Sequence, residues 1–223
     1  MYLYIKRILD IFFSLLALIL LSPFLIPIAF ILKITGEGEI FYLQKRIGKG
    51  GDYFHIYKFA TMIKNSPNIG TGIYTAKNDP RILPFGRFLR FTKINELPQI
   101  LNILFGDMSI VGPRPLIEKT YNLYSEEVKQ KINNILPGLS GIGSLAFRDE
   151  ESLLESSGEE LEVFYSNKIA PYKGKLEIWY CEKISLYIDI VVVFLTFWLI
   201  IFPNSNLLYS LFNDLPKKPD FFK

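Results

Sequence analysis

The sequence predicts an α+β chain, mainly helical, with an N-terminal membrane helix, a small β-hairpin and amphipathic helices. Three observations carry this. Ile11 to Leu32 holds 22 residues without a charge, long enough to span a bilayer. Two short runs rich in aromatic and β-branched residues flank Gly48-Lys49-Gly50-Gly51, as in a hairpin with a Gly-rich turn. Later stretches repeat apolar residues at helical spacing, clearest at Leu97, Ile100, Leu101 and Leu104. Half of the 223 residues are hydrophobic and mean hydropathy is +0.24, so part of the surface is expected to meet lipid. The net charge of +3 gives no argument for nucleic acid. The single cysteine, Cys181, excludes an intramolecular disulfide and a multi-cysteine zinc site, and the single histidine, His55, excludes a His cluster.

Residues 1–35 form the membrane element. Lys6 and Arg7 open it, and Asp10 is the one charge between Ile8 and Leu32. No small-residue cleavage site follows, which argues against a signal peptide. A plain spanning helix is the reading hydropathy favours. A re-entrant helix that dips in and returns is the alternative. Ser22-Pro23 and Pro27 interrupt the segment near its middle, where proline removes a backbone bond and a neighbouring serine can satisfy the freed carbonyl. Lys33, Lys45, Arg46 and Lys49 follow the segment, so positive charge on both flanks favours the cytoplasm for each.

Residues 36–223 are expected as one body without repeats. Glu39 to Leu43 and Tyr53 to Phe59 are the hairpin strands. A phosphate-cradling loop is the sharper reading of the glycines between them, but no clear helix follows, so a plain turn is preferred. Residues 63–91, rich in Asn, Gly and Pro, read as a loop. Arg90 is the better placed of Arg87 and Arg90 to bind phosphate.

The densest signal is residues 92–115. Asn95 is a favoured N-cap, Pro98 falls in the first turn and Gly106 is placed to end the helix. Glu96 then lies near N–H groups that suit a carboxylate or a substrate phosphate. Beyond the helix, Pro113 and Pro115 stiffen the backbone around Arg114, a suitable presentation for bidentate phosphate binding. A capped helix and turn with nothing catalytic is the plain alternative.

Residues 116–136 read as one amphipathic helix through Tyr121, Tyr124, Val128, Ile132 and Ile135. Pro137 to Gly141 is expected to turn, and Ile142 to Phe147 to be extended, with Arg148 a further phosphate ligand. The acidic run Asp149-Glu150-Glu151, with Glu155, Glu159, Glu160 and Glu162, reads as a solvated loop and helix start, and Ser157-x-x-Glu160 as a capping box. Ile190 to Phe202 lacks charge for only 13 residues. An interfacial helix over residues 184–202 is preferred to a second span. Lys217-Lys218 are expected near an anionic surface.

Glu96-Leu97-Pro98-Gln99, Gly106-Asp107-Met108-Ser109 and Val111-Gly112-Pro113-Arg114-Pro115, in this order and spacing, resemble the bacterial sugar transferase family, the monotopic phosphoglycosyl transferases. Gln44, Arg46, Gly48, Lys58-Phe59, Thr61-Met62, Asp79-Pro80-Arg81 and the Pro137 to Gly141 turn extend the likeness over roughly residues 5 to 200. The resemblance implies transfer of a phosphosugar from a UDP-sugar to polyprenyl phosphate, giving polyprenyl diphosphate sugar and UMP. It implies Mg²⁺ on Glu96 and Asp107, and phosphate binding by Lys58, Arg90, Arg114 and Arg148. It also implies that residues 1–35 are a re-entrant membrane helix rather than a plain span, with its break at Ser22 and Pro23, and that the body lies on the cytoplasmic face of the inner membrane, packed at the interface. Membrane lipid is then a partner, and a homodimer or downstream glycosyltransferases are compatible ones. The chain departs from the family twice. Asn95 stands where the family has its Asp nucleophile, and Ala60 where it has an Arg. Glu96 and Asn95 therefore frame the catalytic question. An active transferase and a silent relative that binds polyprenyl phosphate or a partner enzyme are both open.

Overall fold

The computed structural model describes residues 2–69, 79–156, 158 and 160–222. Helix α1 runs from Tyr2 to Ile34, 33 residues, or roughly 50 Å at 1.5 Å per residue. Tyr2, Lys6, Asp10 and Ser14 recur every fourth residue, so they share one stripe. Lys6, Asp10 and Ser14 are buried, whereas Leu3, Ile8, Phe12, Ile19 and Phe24 are exposed. This inverts the rule for water-soluble helices, whose apolar side is the covered one. Helical structure continues through Ser22, Pro23 and Pro27. Pro23 removes the N–H that would bond the Ile19 carbonyl, and Ser22 Oγ donates to that oxygen at 2.8 Å.

The chain divides into two compact units. One comprises Ile11–Lys45 and His55–Phe105, the other Met1–Asp10, Arg46–Phe54 and Gly106–Lys223. The strands β1 (Phe41–Ile47) and β2 (Tyr53–Phe59) form the expected hairpin around a 3₁₀ turn at Lys49–Gly51.

In the Ile11–Phe105 unit, Leu32, Phe59 and Leu89 form the buried core, with Leu25, Ile28, Ile40 and Phe85 against it. Phe41 stacks on Phe59 at 5.8 Å. Of the stretch expected as loop, residues 70–78 lie outside the described residues. Pro84–Phe91 is not loop but helix α2. Pro84 at its start already has helical φ, and Phe85 and Leu89 give it an apolar side to bury. Upstream, Arg81 forms a buried pair with Asp79, its Nε donating at 2.9 Å, and donates to the Ser66 and Ile69 carbonyls at 2.7 Å. Helix α3 spans Gln99–Phe105, starting later than the expected cap at Asn95. Gly106, at φ +98°, takes the chain out of it in the left-handed region that glycine tolerates.

The other unit is built on a short parallel pairing. Strand β3 (Ser109–Val111) lies beside β4 (Gly138–Ser140), with Ser109 opposite Gly138 and Val111 opposite Ser140. The expected turn at Pro137 to Gly141 is therefore a strand. The backbones come so close that a Cβ on Gly112 would sit 2.5 Å from the Leu136 carbonyl. The stretch between them is two helices rather than one, α4 (Glu118–Tyr121) and α5 (Glu126–Asn133). Ser125 caps α5 by accepting the Val128 N–H, which starts a fresh helix there. Residues expected as extended form α6 (Ile142–Ala146), whose Ile142 and Leu145 are held in the core. The acidic run continues as α7 (Glu150–Ser156) and α8 (Leu161–Phe164). Ser157 of the capping box and Glu159 lie outside the described residues.

A π-helical turn at Tyr165–Ile169 leads into α9 (Ala170–Lys183), and Ser185 caps α10 (Leu186–Ile201). Ile188, Val192, Leu195 and Leu199 of α10 face the core, while Tyr187, Ile190, Phe194, Phe197 and Ile201 face out. Helix α11 (Leu207–Leu211) closes the chain onto the same core through Leu208.

Two carboxylates hold the start of α1 in this unit. Asp189 of α10 accepts hydrogen bonds from Lys6 Nζ at 2.6 Å, Tyr2 Oη at 2.5 Å and Tyr180 Oη at 2.8 Å. Asp10 accepts from Ser109 Oγ at 2.7 Å and the Ile110 N–H at 3.1 Å, which ties α1 to β3.

Candidate active site

Four of the sequence-expected site residues belong to the Ile11–Phe105 unit: Lys58, Arg90, Asn95 and Glu96. Asn95 and Glu96 sit in a 3₁₀ turn, Ile94–Glu96, rather than at the head of a helix. Lys93 precedes the turn at φ +59°, the one described residue other than glycine with positive φ. Such a conformation costs on the order of 1–3 kcal/mol and recurs at functional sites. Asn95 is 7% exposed, and its Oδ1 is buried without a hydrogen bond. A buried, unsatisfied acceptor is expensive, so this amide is held by the fold rather than by local preference. Lys58 of β2 reaches Glu96 Oε1 at 3.5 Å, a loose ion pair with side chains 17% and 30% exposed. Arg90 is half-buried at the end of α2.

What keeps Lys58 in place is a residue not singled out in the sequence. Asn102 on α3 is fully buried. Its Oδ1 accepts the Tyr57 N–H at 2.9 Å and its Nδ2 donates to the His55 carbonyl at 2.7 Å. One amide thus takes the place of a neighbouring strand along β2 and fixes the register of the next residue, Lys58. A polar side chain beside the apolar stripe of a short helix was the available signal.

Arg114, Asp107 and Arg148 belong to the other unit. Arg114 is half-buried between two buried prolines. The turn is stitched to the hairpin tip: the Ile47 N–H donates to the Leu116 carbonyl at 2.9 Å, and Arg46 Nη1 to the Pro115 carbonyl at 3.2 Å. Gly48 and Pro113 border a small recess with Arg114. Arg148 is exposed just past α6.

Glu177 of α9, also not anticipated, is 1% exposed beneath this turn. A Cβ on Gly143 would meet its Oε1 at 2.3 Å, so that glycine makes the room. Burial pushes the Glu177 carboxyl up to about 7, against the pull of Lys173 and of the Arg114 N–H and guanidinium. These groups lower the value without closing a hydrogen bond of normal geometry, since neither carboxylate oxygen has a partner. The Lys173 ammonium bonds Glu150 at 2.5 Å instead. Cys181 is pushed up to about 12, chiefly by burial, which suits the apolar role expected of it.

Among the described residues no three His, Cys, Asp or Glu side chains gather in a metal-sized group. Mg²⁺ that rides on substrate phosphates needs only one or two protein carboxylates. Glu96, partly exposed and 3.5 Å from the Lys58 ammonium, fits that reduced role, with the unpartnered Asn95 oxygen adjacent in sequence. Asp107 falls in the other unit.

Comparison with known proteins gives a consistent answer. A model of the bacterial sugar transferase family matches residues 1–203. The exopolysaccharide production protein ExoY of Sinorhizobium fredii is 32% identical over 205 residues, covering 86% of this chain and 83% of its own. A Klebsiella pneumoniae protein named UDP-glucose:undecaprenyl-phosphate glucose-1-phosphate transferase is 33% identical, covering 86% of this chain and 39% of its own. The undecaprenyl-phosphate galactose phosphotransferase of Salmonella typhimurium is 31% identical, covering 86% and 40%. The chain thus spans most of the length of the first relative and about two fifths of the other two.

Proposed function

Because the chain belongs to the bacterial sugar transferase family, we propose that it moves a sugar 1-phosphate from a UDP-sugar to polyprenyl (undecaprenyl) phosphate. The products are polyprenyl diphosphate sugar and UMP, and the step would initiate exopolysaccharide, O-antigen or related glycoconjugate synthesis. Relatives named for undecaprenyl-phosphate sugar transfer support the acceptor. The observation in this chain that carries the reading is the Lys58–Glu96 pair beside the strained turn holding Asn95.

With an amide in place of the family's nucleophile, the route that suits these residues is direct attack. An oxygen of the lipid phosphate forms a bond to the β-phosphorus of the donor. The bond from that phosphorus to the bridging oxygen breaks, and UMP leaves with the electron pair. Lys58 offsets charge on the reacting diphosphate and Glu96 orients Lys58. Arg90, Arg114 and Arg148 are the further phosphate-binding candidates. Mg²⁺, when bound, would be held by Glu96 and would neutralise diphosphate charge. The buried polar stripe and exposed apolar faces of α1 support immersion in the bilayer. A re-entrant course would keep both flanks at the cytoplasmic face.

A second reading rests on Asn95 itself, a neutral side chain where phosphorus chemistry asks for an anion. It makes the chain a silent relative that binds polyprenyl phosphate. UMP release in lipid nanodiscs, with polyprenyl phosphate, Mg²⁺ and a panel of UDP-sugars, separates the two. Turnover by wild type, lost in Glu96→Ala, is expected. Turnover only in Asn95→Asp would establish the silent reading. Label from the donor retained covalently on Glu96 without acceptor would replace direct attack by a carboxylate route.

A further inference from the structure

The C-terminal tail carries a feature that the proposed transfer does not use. Lys217 and Lys218 lie beyond the residues 1–203 matched by the family. The tail packs back so that these two lysines, with Lys168 from the π-helical turn and Lys175 from α9, line one cleft of about 490 Å³. Asp220 is the one acidic residue lining it, so the cleft holds an excess of three positive charges. That equals the formal net charge of the whole chain, +3.

The cleft is built rather than incidental. Three prolines, Pro171, Pro216 and Pro219, stiffen its walls. The tail that forms one side is pinned: Tyr172 Oη donates to the Pro216 carbonyl at 2.8 Å, and the Phe222 ring packs on Phe147 at 4.8 Å. Lys218 lies over the Tyr209 and Phe222 rings at 5.7 and 5.5 Å, and Lys168 over Phe164 at 5.1 Å. These contacts hold the ammonium groups in position. Ammonium ions on flexible stems, with no guanidinium among them, suit a phosphate met as a point charge. Helix α11 links the tail to α10, whose Ile190, Phe194, Phe197 and Ile201 face outward. An apolar helix face and a lysine cleft on consecutive segments match the two layers of a membrane surface.

We propose that this cleft binds the phosphate headgroup of an anionic phospholipid, and so holds the Gly106–Lys223 part of the chain to acidic membrane. The inference rests on the membrane reading of α1, and its test separates the two. The full chain is reconstituted in nanodiscs of phosphatidylcholine, with or without phosphatidylglycerol. Amine acetylation is pulsed and each lysine is read by mass spectrometry. Surface attraction amounts to roughly a fivefold effect per lysine, so Lys175, Lys217 and Lys218 are expected to react about fivefold more slowly in the acidic discs. High salt should remove the protection, and Lys119 and Lys131, outside the cleft, should react equally in both. In Lys217→Gln/Lys218→Gln, Lys175 should lose its protection. Equal rates in the two discs would overturn the proposal, as would equal protection of Lys119 and Lys131. Protection by inorganic phosphate alone in neutral discs would assign the cleft to a soluble anion instead. A chain that enters neither disc would sink the membrane reading itself.

Discussion

Replacing Asp189 by Ala is expected to be among the most damaging single changes in the chain. Its carboxylate receives Lys6, Tyr2 and Tyr180 within 2.5–2.8 Å, and the Lys6 and Asp189 side chains are each 9% exposed. Removing one partner of a buried pair leaves the other charge uncompensated, at about 3–5 kcal/mol. For a chain of this size 1 kcal/mol moves the midpoint by about 2–4 °C, so Asp189→Ala should lower Tm by roughly 6–20 °C. Lys6→Met should cost a similar amount by stranding the carboxylate. The double variant Lys6→Met/Asp189→Leu removes both charges from a buried place, a change that is often neutral. It should therefore recover most of the loss, giving, with Asp189→Leu as the matching single variant, a coupling energy of at least about 2 kcal/mol. The assay is thermal unfolding of nanodisc-held protein followed by near-ultraviolet circular dichroism. Single variants within about 1 kcal/mol of wild type, or strictly additive losses, would show that the pair is solvated in the native protein and refute the reasoning.

Three further outcomes are expected. Asn102→Leu keeps the branched outline of the side chain but leaves the Tyr57 N–H and His55 carbonyl unpaired. It should cost about 2–3 kcal/mol in denaturant unfolding and depress UMP release by shifting Lys58. Lys58→Ala should reduce turnover by roughly 10²–10³ while leaving Tm nearly unchanged, since the pair with Glu96 is loose and partly exposed. Glu177 binds its proton more tightly when folded, with its carboxyl raised from 4.5 to about 7. The native state then holds more protons than the unfolded chain between those values, so stability falls as pH rises through that window, by roughly 3 kcal/mol in all. Glu177→Gln should flatten this slope, which unfolding curves at pH 5 and pH 7.5 would reveal.

The hairpin was legible because its signals are local: aromatic and β-branched strands around glycines that must turn. The end of α3 at Gly106 was legible for the same reason. Its start was not. Asn95 has the right chemistry for a cap, but Lys93 takes a left-handed conformation and Ile94–Glu96 tightens into a 3₁₀ turn. Tertiary packing imposes that choice. Ile142 to Ala146 likewise contains a β-branched residue and a glycine, and is helical because Ile142 and Leu145 must both reach the core. Asp10 stood out as a charge in an apolar run, yet its partners Ser109 and Ile110 lie about 100 residues away and leave no mark nearby. The four-residue recurrence of Tyr2, Lys6, Asp10 and Ser14 was present in the sequence and points to a polar stripe. In the candidate site, the capped-helix and Pro-Arg-Pro pattern of residues 92–115 led to Glu96 and Arg114, and the family resemblance to Lys58. The supports, Asn102 and Glu177, could be found only once the elements were packed.

The stripe on α1 also sets an order of events during synthesis. α1 emerges first, but Asp10 meets Ser109 only 99 residues later, and Lys6 meets Asp189 after 183. At roughly 5–20 residues per second, the ammonium of Lys6 waits about 10–40 s for its counter-ion. Throughout that interval Lys6 has only Asp10, one turn on along the same stripe, to offset its charge. A chain arrested before α10 would keep that defect indefinitely. The polar groups that finish the native protein therefore also distinguish a completed chain from an interrupted one.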